Sequence, residues 1–166
     1  EVEGAVDNVQ FGYGTFEDYA QAPFGTMGID KPFTLRQQIT DDIDAVQVVL
    51  EETEIHFGGD GPESVFEALY QSLSGVGYDQ DCDGLYDPMT DVLPFLSEST
   101  DIFGGGAGGS YNPADSGGGP AGGFGFRPEG LSVIVYATDT DFRDPDDGHA
   151  TASACDRAAG HVVTGA

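Results

Sequence analysis

The chain has 166 residues, of which 30 are acidic and only 5 are Lys or Arg, so its formal net charge is −25. This length fits a single domain with a buried core. Because nucleic acids and anionic membranes are bound through basic side chains, the charge argues against both as partners and favours cations. A solvated acidic surface is the competing explanation for most of these charges. No apolar run reaches the roughly 18 residues that cross a bilayer.

Two strands and two helices are predicted in the first half of the chain. Residues 6–16 alternate apolar and polar side chains, and residues 33–37 form a short candidate edge strand. Thr40 is predicted to cap a helix over residues 41–52, whose apolar side chains recur at helical spacing. A second helix is predicted over residues 62–75, starting at a proline.

The segment at residues 77–126 differs in composition from the rest of the chain. An acidic cluster is followed at residues 104–125 by a glycine-rich stretch, GGGAGGSYNPADSGGGPAGGFG. Such a stretch cannot offset the entropy lost on ordering, so it is predicted to be a flexible insertion. It is not a phosphate-binding loop, because no Lys-Ser or Lys-Thr follows the glycines.

The apolar run at residues 131–137, LSVIVYA, is predicted to be a central strand that is buried on both faces. It ends at Asp139, and ligand sites of open α/β sheets form where such strands end. A short helix is predicted next, over residues 150–158. Together these elements predict an α/β fold with a doubly wound, mostly parallel sheet flanked by helices.

The acidic cluster has the spacing of a calcium loop at residues 79–87. Calcium takes about six to eight oxygen ligands, and a glycine at the sixth position lets a loop turn its side chains inward. That glycine is Gly84, whereas Thr90 stands where an EF-hand places glutamate, so the pattern resembles the thrombospondin type 3 repeat instead. A merely solvated acidic run is the alternative. The predicted Ca²⁺ ligands are Asp79, Asp81, Asp83 and Asp87.

Four stretches of the chain resemble the I-like domain of integrin β subunits, a relative of von Willebrand factor A domains. They are VQFGYGTFEDYAQAPF, FTLRQQIT, GGDGPESVFEAL and LSVIVYATDTDFRDPDDGHA, and they occur in the family's order. The resemblance implies one domain over residues 1–166, with residues 77–126 as an insertion within it. The D-x-S-x-S motif of the family's first strand is missing, so the chain is expected to be a bacterial-type fragment that is incomplete at both ends.

The resemblance also implies two metal sites. In that family a metal-ion-dependent adhesion site holds Mg²⁺ or Mn²⁺, and a carboxylate of a partner protein completes the coordination. The resemblance assigns Glu63 and Asp139 to this site, and it assigns Asp60 and the carbonyl of Pro62 to an adjacent calcium site. Without the first-strand motif, the adhesion site is expected to be incomplete in this chain.

The two cysteines and the absence of enzyme motifs complete the expectations. Cys82 and Cys155 occupy places comparable to a linked pair of the family, which implies a disulfide and an extracellular or cell-surface setting; two free buried thiols are the alternative. No nucleophile with a positioned base is recognisable, so an enzyme is not expected. The leading hypothesis is a secreted or surface adhesion module that uses a divalent metal. The alternative is a calcium-stabilised structural domain of a large surface protein.

Overall fold

The computed structural model describes residues 8–54, 56–96 and 109–149. Its elements follow the order β1 (Phe11–Thr15), β2 (Thr34–Thr40), α1 (Ile43–Glu51), α2 (Val65–Ser74) and a short 3-10 helix (Pro145–Asp147). Within this part of the chain, β1 and β2 form a two-stranded antiparallel sheet. The prediction of a doubly wound, mostly parallel sheet is therefore wrong.

The first two strands form close to where the sequence predicts them. Phe11 pairs with Thr40 and Thr15 pairs with Thr34, with register irregularities between these pairs. The strand predicted at residues 33–37 is longer than expected, because pairing with β1 continues to its last residue. Both predicted strands are thus confirmed, but they pair with each other rather than with a central parallel strand.

Helix α1 starts later than predicted, and it is capped by a different residue. Asp42 is the N-cap, since its Oδ1 accepts a hydrogen bond from the Ala45 N–H at 3.1 Å. Thr40 is buried at the end of β2, where its Oγ1 accepts from the Asp42 N–H at 3.1 Å. No side chain of α1 is fully buried, and Val48 and Leu50 are more than half exposed.

Helix α2 packs more deeply than α1. It starts at Val65, so that Pro62 precedes the helix instead of opening it. Ala68 lies in the hydrophobic core. The helix ends at Gly75, which adopts a left-handed conformation with φ 65° and donates its N–H to the Gln71 carbonyl at 2.8 Å. A glycine is favoured there because a Cβ disfavours this conformation.

The hydrophobic core is mainly aromatic, and most of its side chains come from loops. Its buried members are Tyr19, Phe24, Phe33, Ala68, Tyr78 and Val92. The rings of Tyr19 and Tyr78 meet edge to face with centroids 6.0 Å apart, a favourable geometry for aromatic pairs. Tyr78 and Val92 flank the acidic loop in the sequence, so the core anchors both ends of that loop.

The glycine-rich stretch is packed against the fold in its described part, residues 109–125. The Ile39 N–H in β2 donates to the Phe124 carbonyl at 2.8 Å, and the Gly123 N–H donates to the Ser72 carbonyl in α2 at 2.8 Å. A side chain at Gly123 would collide with the backbone of α2. The prediction of a flexible insertion is therefore corrected for these residues, because glycine permits a close backbone approach that composition alone does not reveal.

Residues 131–137 do not form the predicted buried strand. They contain no strand or helix, and the exposed fractions of Leu131, Val133 and Val135 are 92%, 68% and 87%. The prediction is wrong because, among the described residues, the sheet contains only β1 and β2 and no strand pairs with this segment. The helix predicted at residues 150–158 lies outside the described residues.

Candidate metal centre

Three carboxylates meet at the base of the acidic loop. Oxygen atoms of Asp79, Asp81 and Asp91 all lie within 4.8 Å of one another. An antiparallel bridge between Tyr78 and Val92 brings the loop ends together, with N–H to carbonyl hydrogen bonds of 2.8 and 3.0 Å. Because Asp79 and Asp91 are the next residues inward from this bridge, the core packing places them opposite each other.

The backbone of the loop turns in the way that a cation-binding loop requires. Gly84 has φ 85° and donates its N–H to Asp79 Oδ2 at 3.0 Å. Cys82 has φ 63°, which is uncommon for a residue with a Cβ. The Asp83 N–H donates to Asp81 Oδ1 at 3.1 Å. These hydrogen bonds hold the carboxylates of Asp79 and Asp81 within the loop, and Gly84 adopts a positive φ that suits a glycine.

Asp91 holds the second half of the loop in place. Its Oδ1 accepts from the Gln80 N–H at 2.9 Å, and its Oδ2 accepts from the Asp87 N–H at 2.8 Å. Each carboxylate oxygen has two lone pairs, so these hydrogen bonds leave acceptor capacity for a cation. These hydrogen bonds fix the position of the Asp91 carboxylate within the loop.

The electrostatics of the cluster favour a cation. Burial raises the pKa of Asp91, and the neighbouring carboxylates of Asp79 and Asp81 raise it further. Burial also raises the pKa of Asp81, with added repulsion from Asp83 and Asp79. Ionised carboxylates therefore repel each other here, and a divalent cation would remove this cost.

The sequence found two of the three clustered residues. Asp79 and Asp81 lie in the cluster, whereas Asp83 Oδ1 accepts from the Leu85 N–H at 2.7 Å and Asp87 Oδ1 accepts from the Met89 N–H at 2.8 Å. Ligand roles for Asp83 and Asp87 stay predictions.

Asp91 is the residue that the sequence pattern missed. The twelve-residue spacing of an EF-hand, counted from Asp79, ends at Thr90, and Asp91 is the next residue. One sequence feature could have indicated Asp91. The apolar residues Tyr78 and Val92 stand at the two ends of the acidic run, and each has an aspartate as its inner neighbour. An apolar pair of this kind can close a loop and bring its inner neighbours together.

The adhesion-type residues lie in a second region, where the chain after residue 138 passes the start of α2. The Glu63 N–H donates to the Asp141 carbonyl at 2.9 Å, and the Arg143 N–H donates to the Glu63 carbonyl at 2.8 Å. The Asp139 side chain is exposed. The two segments are neighbours, but among the described residues Glu63 and Asp139 belong to no group of three potential ligand side chains.

Arg143 occupies the place that the resemblance gives to the adjacent calcium ion. Its Nη2 lies 2.5 Å from Asp60 Oδ1 and donates to the Pro62 carbonyl at 2.7 Å. The same nitrogen lies 2.6 Å from Oδ1 of the fully buried Asp18, and the guanidinium stacks 4.1 Å from the Phe24 ring centroid. The oxygens predicted to hold calcium are thus already hydrogen-bonded to a cation from the chain itself, and the donor set does not fit a metal there.

One guanidinium faces two carboxylates in this region. Burial raises the pKa of Asp18 to about 7, and the Asp60 carboxylate adds to this effect while Arg143 opposes it. At Asp60 burial also acts to raise the pKa, but hydrogen bonds from Arg143 and Asp18 outweigh it and hold the pKa below its ordinary value. Asp60 therefore keeps its charge, and Asp18 is the group that takes up a proton near neutral pH.

Glu63 lies beside this ion-pair network, and the ionised form of its side chain is disfavoured. Burial raises its pKa to about 7, and the nearby Glu17 carboxylate adds to the effect. Its Oε2 is buried and has no hydrogen-bond partner among the described residues. A carboxylate in this state favours either a proton or a cation.

The pKa of Glu63 predicts a pH dependence of stability. Because its pKa is raised on folding, its stabilising contribution is fully present below about pH 4.5 and is lost as the pH rises through about 7. The free energy of unfolding should therefore fall between pH 5 and pH 8. We expect this fall to be about 1 kcal/mol smaller in Glu63→Gln than in the unchanged chain, a value that is discounted for partial exposure. Urea unfolding at several pH values measures this difference. Glu129→Gln, at an exposed acid, is the control, and equal pH slopes for both variants would contradict the prediction.

Two further expectations concern the cysteines and the membrane. Cys82 is disulfide-bonded, and its predicted partner, Cys155, lies outside the described residues. In the part of the chain that the structure describes, no helix combines the length and apolar character needed to cross a membrane.

Comparison of the chain with protein-family profiles, with curated proteins and with solved structures found no match. The likeness to integrin β I-like domains therefore stays a resemblance carried by the sequence stretches alone.

Proposed function

We propose that this chain is a non-enzymatic, calcium-stabilised domain of a secreted or cell-surface protein. The observation that carries this proposal is the convergence of Asp79, Asp81 and Asp91 within 4.8 Å at a loop base anchored in the core. This function is the alternative that the sequence left open beside an adhesion module. It is favoured now because the clustered carboxylates lie in the acidic loop and not at the adhesion-type residues.

Calcium fits this cluster better than other common metals. The three clustered side chains offer only carboxylate oxygens, which suit hard cations rather than zinc. Cys82 is disulfide-bonded and so supplies no thiolate. Calcium accepts irregular sets of about six to eight oxygens, including backbone carbonyls and water, whereas magnesium demands a near-ideal octahedron. An irregular loop of this kind therefore favours calcium.

Calcium binding here would stabilise the whole described fold. Tyr78 and Val92 connect the loop base to the core, so an ion that fixes Asp79 and Asp91 also fixes their neighbours. Binding to the folded state alone adds stability by mass action. Extracellular calcium modules work with dissociation constants of about 10⁻⁴ to 10⁻³ M, which agrees with the proposed setting.

Asp81→Asn tests the proposal because the Asp81 side chain is exposed and contributes little to the calcium-free fold. We expect isothermal titration calorimetry to show calcium binding to the unchanged chain and a loss of affinity of about tenfold or more in the variant, since ligand charge sets affinity. Glu129→Gln removes the same charge outside the cluster and should bind like the unchanged chain. Absence of calcium binding, or equal affinity in Asp81→Asn, would reject the proposal.

A metal-dependent adhesion site at Glu63 and Asp139, completed by Mg²⁺ or Mn²⁺ and a partner's carboxylate, is the second candidate. It is favoured by the unpaired Glu63 Oε2 and by the parallel bridge between Glu63 and Phe142. Titration of Asp81→Asn with Mn²⁺ tests it with the loop site weakened. Binding that is lost on adding Glu63→Gln supports this candidate, and absence of binding rejects it.

A further inference from the structure

The segment at residues 131–137, LSVIVYA, is an uncovered strand-like surface, and we call it the apolar segment. None of its residues forms a backbone hydrogen bond with another described residue. It contains no charged side chain, although the whole chain carries a net charge of −25. A run with β-branched residues whose N–H and C=O groups have no backbone partner within the described ranges is a template for pairing with another strand.

The two sides of the apolar segment differ in the way that the two faces of an extended strand differ. Ile134 is half-buried, and the Tyr136 ring meets the Phe142 ring edge to face at 5.5 Å. The intervening residues, Leu131, Val133 and Val135, point away from the protein and are at least 68% exposed. Ser132 is exposed and Tyr136 is 48% exposed, so the alternation typical of a β-strand is only partial. Tyr136 thus contacts the fold, while Leu131, Val133 and Val135 are open to a partner.

Acidic residues stand at both ends of the apolar segment. Glu129 precedes it, and Asp139 and Asp141 follow it, all of them exposed. If a second copy of the chain paired antiparallel, its Glu129 would lie near Asp139 of the first copy. If it paired parallel, each acid would lie beside the same acid of the other copy. Like charges opposite each other destabilise strand pairing, so the segment is poorly suited to pair with itself.

We propose that the apolar segment binds an extended strand of a partner protein that carries alternating apolar side chains and Lys or Arg at both ends. Backbone hydrogen bonds to the partner would satisfy the free N–H and C=O groups, as in other cases of strand addition. Apolar side chains of the partner would cover Leu131, Val133 and Val135, and its basic ends would face Glu129 and Asp139. This interaction is independent of the calcium loop.

A peptide probe of this chemistry tests the proposal. We use Lys-Lys-Val-Thr-Val-Thr-Val-Lys-Lys with blocked ends, and the same peptide with Glu in place of Lys as its control. Fluorescence anisotropy at low salt is expected to show binding of the basic peptide that is stronger than that of the acidic one by about tenfold or more. Hydrogen exchange should slow at the amides of residues 131–137. Binding without this protection, or no binding, would overturn the proposal.

Two variants with the same charge change separate pairing from general attraction. Val135→Lys alters the open side of the apolar segment, and Val48→Lys alters an exposed apolar position on α1. Since both side chains are exposed, neither change should unfold the protein. We expect affinity for the basic peptide to fall about tenfold or more with Val135→Lys and to change less than about twofold with Val48→Lys. Equal losses would overturn the proposal.

Val133→Pro gives an independent reading, because it removes one backbone donor from the pairing edge without adding charge. It should weaken peptide binding, and unchanged binding would contradict strand addition. A second copy of the chain is the other possible occupant of the apolar segment, and sedimentation of the unchanged chain tests it. We expect a monomer. A dimer that is lost on Val135→Lys would show that a second copy covers the segment instead.

Discussion

Arg143→Met is expected to lower the free energy of unfolding by about 3–5 kcal/mol at pH 9, because it leaves the buried Asp18 and the neighbouring Asp60 without their cationic partner. Asp18 is fully buried and lies 2.6 Å from Arg143 Nη2. The loss should shrink as the pH falls from 9 to about 7, since the pKa of Asp18 is about 7 even beside Arg143 and its protonation removes the uncompensated charge. Urea unfolding of the variant and of the unchanged chain at pH 6 and pH 9 measures both effects.

Arg127→Met is the matched control for this prediction. Arg127 is less buried, and its Nη2 donates to the Asn8 carbonyl at 2.9 Å without a described ion pair. We expect this change to cost about 1 kcal/mol or less. Adding Asp18→Asn to Arg143→Met should recover part of the stability at pH 9 because it removes the buried charge. Equal losses for the two arginines would show that the buried ion pair contributes nothing specific.

Removal of calcium is expected to have an effect of similar size. At a free calcium concentration about 100 times the dissociation constant, binding adds about 2.7 kcal/mol to the free energy of unfolding. Chelation should therefore lower the melting temperature by about 10 °C for a chain of this length. Differential scanning calorimetry with and without a calcium chelator measures the shift.

Asp91→Asn should remove this calcium dependence. Its carboxylate belongs to the proposed ion site and also accepts two backbone hydrogen bonds, so the variant is expected to melt lower even without calcium. Glu129→Gln should keep the full shift. A shift of the same size in Asp91→Asn would contradict the assignment of the ion to this cluster.

The elements that the sequence predicted well are those specified by short-range patterns. Strand β2 and helices α1 and α2 depend on alternation or helical spacing within one stretch, and all are present with shifted ends. The Asp42 cap was misplaced by two residues because Thr40 is also a good cap, and only the pairing of Thr40 with Phe11 decides between them.

The features that the sequence could not predict depend on distant neighbours. Residues 131–137 have the composition of a buried strand, but burial needs a covering layer that composition does not supply. Arg143 reaches Asp18 across 125 positions of sequence, so its role in place of a metal was not visible. Asp91 joins the acidic cluster through the bridge at Tyr78, which is a tertiary contact. Motif spacing found the loop but not its complete set of carboxylates.

The most direct test of the calcium site is a crystal structure of the chain grown with calcium, with anomalous scattering used to locate the ion. The account predicts an anomalous peak within about 2.3–2.6 Å of carboxylate oxygens from Asp79, Asp81 and Asp91. A calcium peak at Glu63 and Asp139 with none in the acidic loop, or no calcium peak at all, would contradict it.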